Sequence, residues 1–139
     1  MRFLLLGSTL TPAVAAALQR HEHTATLPAE ISLDPSASSA KIVEAARTRQ
    51  LDIITTDHAL IDHIYTADLW FSRVIVYLQL PGQDIEQDDA IDRLFKRYKR
   101  LTPGRLYSVT ESRVKIRQLP SKGKLSKPGN LIREIDEPE

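Results

Sequence analysis

Residues 3–6 (FLLL) form a short apolar run, and a turn signal and helix-period sequence follow it at once. The same order recurs at 51–56 (LDIITT) and 74–80 (VIVYLQL). A strand without a polar alternate is buried on both faces, which means a parallel sheet whose crossovers are helices. This pattern constrains the chain more than any single residue does.

The intervening segments supply those helices. Thr11-Pro12 gives a capping hydroxyl and a proline at the first helical position, opening a helix to about Arg20 with Val14, Ala17 and Leu18 at helical spacing. Ser38 or Ser39 caps a second helix over 40–49, with Ile42, Val43, Ala45 and Ala46 inward. A short helix is expected over 59–65. A longer one runs to Arg100 after the acidic cluster Asp84, Glu86, Asp88 and Asp89, with Ile91, Leu94, Phe95 and Tyr98 on one side. Residues 24–27 are a weak strand, and 106–109 with 114–116 read as a hairpin joined across Glu111-Ser112. The order β-α-β-α-β-α-β-α plus hairpin predicts an α/β fold, a doubly wound, mostly parallel sheet with flanking helices. Ligands in such sheets gather where the strands end. That rim would carry Gly7-Ser8-Thr9, the 28–39 loop, Asp57-His58 and Pro81-Gly82.

The chain has 139 residues, 42% apolar and 27% charged, which suits one domain with a real core. We expect that domain over 1–120 and a poorly packed Lys/Gly/Pro-rich tail over 121–139, pinned by Leu131, Ile132 and Ile135. There is no cysteine, which removes disulfides, thiolate nucleophiles and cysteine-held metals. Arg2 followed by Phe3-Leu4-Leu5-Leu6 and Ala13-Val14-Ala15-Ala16-Ala17 imitates a secretory leader, but Gly7-Ser8-Thr9 and Pro12 break the apolar stretch. No stretch approaches the roughly 18 apolar residues of a membrane span. A cytoplasmic location without membrane contact is expected.

The net charge of +1 hides a strong asymmetry: residues 1–92 balance to −7, 93–127 to +11, and 128–139 to −3. In the basic third, Arg113, Lys115 and Arg117 alternate and so share one strand face. Such density suits phosphate, or equally a solvated edge strand kept from aggregating by its charges.

The serine-capped segment Ile42-Val43-Glu44-Ala45-Ala46 and the strands Ile53-Ile54-Thr55-Thr56-Asp57 and Val74-Ile75-Val76-Tyr77-Leu78 give a further pointer. Together with the proline-opened first helix and a closing basic hairpin ending Arg113-Val114-Lys115-Ile116-Arg117-Gln118-Leu119-Pro120, the order resembles small PIN-like domains over residues 2–120. The resemblance implies a metal-dependent ribonuclease ancestry, with several acids holding Mg²⁺ or Mn²⁺ at the strand ends. At the family's acidic positions this chain has Leu6-Gly7-Ser8 after the first strand and Ser39 at the second helix. It has Asp57-His58-Ala59-Leu60 after the third strand, so only Asp57 matches.

From the residues themselves, Asp57 is a metal ligand or general base, or else the cap of the helix from Ala59. His58 and Asp62, four apart, could share a helix face and hold a transition metal, but with no third ligand a helical-surface role is expected; His63, five from His58, diverges. Glu44 is expected to pair with Lys41 or Arg47, and Asp52 begins a strand at the end away from the rim.

The resulting expectation is a PIN-like domain with an eroded nuclease centre. It would bind RNA or an acidic protein partner through Arg97, Arg100, Arg105, Arg113, Lys115 and Arg117. The alternative is an active Mg²⁺/Mn²⁺ ribonuclease of toxin–antitoxin type. Asp57 would be its catalytic and principal metal residue, with Asp62, Ser8 and Ser39 assisting. A toxin–antitoxin or homo-oligomer scaffold role, in which the surface matters and chemistry does not, is the third.

Overall fold

A computed structural model describes residues 1–80, 82–121 and 135–138. Its elements run β1 (Arg2–Leu6), α1 (Pro12–Arg20), β2 (Thr24–Thr26), α2 (Ser39–Arg49), β3 (Asp52–Thr55) and α3 (His58–Thr66). They continue with β4 (Ile75–Leu78), α4 (Asp84–Arg97), β5 (Arg105–Val109), β6 (Arg113–Gln118) and β7 (Ile135–Pro138). The sheet order is β2-β1-β3-β4-β5-β6-β7, parallel through β5 and antiparallel for the last two pairings. The α/β class, the mostly parallel sheet and the β5–β6 hairpin are those the sequence predicts. The loose tail expected over 121–139 falls largely on 122–134, outside the described residues. Ile135 lies opposite Ile116 as β7 adds to β6.

Side-chain alternation in the strands divides the core in two. Phe3, Leu5, Ile54, Val76, Leu78, Tyr107, Val109, Val114 and Ile116 meet α1 and α4 through Val14, Leu18, Ile91, Leu94 and Phe95. Leu4, Ile53, Ile75, Tyr77 and Leu106 meet α2 and α3 through Val43, Ala46, Leu60, Ile61 and Ile64. Each inner residue is covered on its own side, as the unbroken apolar strands require.

The helix ends show their chemistry. Thr11 Oγ1 accepts from Ala13 N–H at 3.3 Å ahead of Pro12. Ser38 is the cap of α2, its Oγ accepting from Lys41 N–H at 3.3 Å, which leaves Ser39 in the first turn. The acids Asp84, Glu86, Asp88 and Asp89 lie inside α4 rather than ahead of it. Negative charge in a helix's first turns is stabilised by the exposed N–H groups there. Asp88 uses its position to pair with Arg20 of α1. α4 also stops at Arg97, before the expected Arg100, so Tyr98 lies just past its end.

Candidate functional site

The order of the parallel strands reverses between β1 and β3, and the crevice beyond their C-terminal ends is where a doubly wound sheet offers a ligand site. In this chain the crevice is tied by its own loops. Thr9 Oγ1 donates to Thr56 Oγ1 at 2.7 Å. Gly7, at φ +124°, lies so close to Thr56 that a side-chain carbon there would overlap Thr56 Oγ1 and come within 3.2 Å of Thr56 N. Gln87, fully buried on α4, accepts from Thr11 N–H at 2.9 Å and donates to Thr9 O at 2.7 Å.

The four residues expected around a metal do not converge as ligands. Asp57 is exposed at the end of β3 and caps α3: Oδ1 accepts from Ala59 N–H at 2.9 Å, while Asp57 N–H donates to Thr55 Oγ1 at 2.9 Å. Ser39 Oγ lies 3.1 Å from His63 Nδ1. Ser39, Asp57 and His63 line one shallow cavity of about 460 Å³, whose other walls include Ile42, Leu60 and Leu69. Ser8 is exposed in the loop after β1, and Asp62 is exposed on α3. His58, which could share a helix face with Asp62, places Nδ1 3.3 Å from the Tyr77 hydroxyl, and burial raises the Tyr77 pKa. Among the described residues no three His, Asp or Glu stand close enough to share a metal. Mg²⁺ and Mn²⁺ require several oxygen ligands with concentrated negative charge. One carboxylate that already accepts an N–H, beside two hydroxyls, does not fit them.

The six expected nucleic-acid residues are divided by the fold. Val114 and Ile116 face the α1/α4 side, so Arg113, Lys115 and Arg117 face the α3 side of β6. The Arg117 guanidinium lies 4.1 Å from the centre of the Tyr65 ring on α3. Arg97 belongs to α4, its Nε donating to the Tyr98 hydroxyl at 3.4 Å. Because β6 is antiparallel, Arg113 and Arg117 stand at opposite ends of the sheet.

At the end where the parallel strands begin, two concavities adjoin through Pro103. One, of about 560 Å³, is lined by Met1, His23, Asp52, Arg73, Lys99 and Arg100, among others. The second, of about 430 Å³, includes Arg105, Arg117 and Gln118. Arg100, Arg105 and Arg117 are thus brought to one end, and Lys115, Arg113 and Arg97 are not in these walls.

Arg73 is a residue of this end that sequence reasoning does not single out. Its only signal is a lone base between Ser72 and the strand residue Val74. Asp52, set aside as remote from the rim, is 2% exposed at this end. Its Oδ1 accepts from Val74 N–H at 2.9 Å, and Oδ2 lies 3.4 Å from Arg73 Nη2. His23 Nδ1 lies 2.9 Å from the Met1 amine. Burial, then the neighbouring amine and His21, push the His23 pKa below its ordinary value. Arg47, expected to pair with Glu44, donates to Trp70 O at 2.7 Å and lies 4.0 Å from the centre of the indole ring.

No helix among the described residues is long and apolar enough to cross a membrane. No family model, curated protein or solved structure matches the chain.

Proposed function

We propose that this chain is a PIN-like domain, its nuclease centre lost, that binds single-stranded RNA at the end of the sheet where the parallel strands begin. One observation carries the reading: the adjoining concavities gather Arg73, Lys99, Arg100, Arg105 and Arg117, and among their described lining residues the one acid is Asp52. Like charges set in a low-dielectric cleft focus their field, which attracts phosphate and releases its counterions. Concave walls suit phosphate groups along a strand better than the broader face of an acidic protein. The rim, with one capping carboxylate, supports binding more than cutting.

The test is fluorescence anisotropy with a labelled 12-nucleotide oligouridine across a salt series. If each of the five cations neutralises one phosphate, the log–log slope is about −3.5. Replacing Arg100 and Arg105 by Glu together should weaken binding more than tenfold and flatten the slope. Absence of binding at low salt, or a double variant that binds as the parent does, overturns the proposal. Cleavage of the RNA in Mn²⁺ that stops with chelator and with Asp57→Asn would restore the nuclease reading.

A further inference from the structure

The larger concavity holds more positive charge than an internal phosphodiester would use. Arg73, Lys99 and Arg100 reach it from two separate segments, with Met1 and His23 on another wall. The one acid among its described lining residues, Asp52, is already engaged by Val74 N–H and, at the longer distance of 3.4 Å, by Arg73. Arg73 remains half engaged, because its Nε is buried with no hydrogen-bond partner. A guanidinium in that state has donors to spare, and its planar fork matches two oxygens of a phosphate.

We propose that this cavity holds a phosphate monoester, the terminal phosphate of an RNA strand, with Arg73 as the fork and Lys99 and Arg100 as flanking charges. A monoester has three unsubstituted oxygens and between one and two negative charges at neutral pH. An internal phosphodiester has two such oxygens and one charge, and its chain must enter and leave. A cavity ringed by the entries to β1, β2, β3, β4 and β5 suits an end better than a passing strand. The inference rests on the RNA-binding reading and deepens it.

The test compares three forms of one hexauridine, carrying a 5′-phosphate, a 3′-phosphate or no terminal phosphate, at fixed salt. One phosphorylated form should bind at least tenfold more tightly than the unphosphorylated strand. That advantage should vanish in Arg73→Gln and in Lys99→Gln, the second variant altering an exposed side chain that leaves Asp52 untouched. Equal, salt-dependent affinity for all three strands overturns the terminal-phosphate site and leaves the RNA reading standing. If no strand binds, the RNA reading fails, and the cavity is then judged with free uridine monophosphate. Its ³¹P resonance should shift on adding the parent protein and not on adding Lys99→Gln; no shift overturns the cavity as a monoester site.

Discussion

Asp52 offers the sharpest check on how the basic end is held together. Its side chain is 3% exposed, and Oδ1 is the acceptor for Val74 N–H. Asp52→Ala orphans that buried N–H, at a cost of about 1–3 kcal/mol. The Arg73 side chain is 37% exposed and recovers much of its loss in water, adding about 0.5 kcal/mol or less. The expected total is about 1–3.5 kcal/mol. Asp52→Asn keeps an acceptor facing Val74 and should lose about 1 kcal/mol or less. Arg73→Gln leaves a buried carboxylate with one donor. Cutting a fully buried pair costs about 3–5 kcal/mol. Here the 3.4 Å separation and the exposed partner reduce that to about 1–2 kcal/mol. Urea unfolding followed by circular dichroism measures all three. With a slope of about 2 kcal/mol per molar urea, a mid-range loss of about 2 kcal/mol moves the Asp52→Ala midpoint by about 1 M. If Asp52→Asn falls as far as Asp52→Ala, the negative charge rather than the acceptor is what the fold uses, and the reasoning fails.

Gln87→Leu preserves volume but strips Thr11 N–H and Thr9 O of their partner, so we expect a loss of about 2–4 kcal/mol by the same urea assay. Asp57→Ala should cost about 1 kcal/mol through loss of the α3 cap, whereas Asp57→Asn should cost little. Equal losses for the two would remove the capping role. His23 has a depressed pKa, so the stability it contributes is present above its unfolded value of 6.5 and is lost as pH falls from there through the folded pKa. Met1 amine and His21 oppose the added proton, and Asp52 and Glu22 favour it. A urea midpoint that declines between pH 7.5 and 5.5, and declines less in His23→Gln, is the expected result.

Much of the fold was legible because burial on both faces of a parallel strand leaves no room for polar alternates. Phe3 to Leu6, Ile53-Ile54 and Val74 to Leu78 carried that signal directly, and Thr11-Pro12 marked a helix start through local stereochemistry. Ser38 and Ser39 were ambiguous because both hydroxyls suit a cap and only backbone geometry chooses between them. The distribution of the basic residues was harder to read. Strand parity sets Arg117 against Tyr65, while the end of α4 at Arg97 leaves Lys99 and Arg100 in the connection to β5. Neither outcome is local in sequence. Arg73 and Asp52 lie 21 residues apart and meet only because β3 and β4 are neighbours. The role of Asp57 turns on where α3 begins, one residue earlier than the 59–65 pattern suggests.

The four residues of β3 also act as a spacer. Asp52 and Asp57 are five positions apart, roughly 16 Å along an extended chain. Water and salt screen exposed charges beyond about 8 Å under physiological conditions. New carboxylates grafted at Ser8 or Ser39 to rebuild a metal cage should therefore leave affinity at the opposite pole unchanged. The two poles of this molecule can be redesigned one at a time, their free-energy changes simply adding.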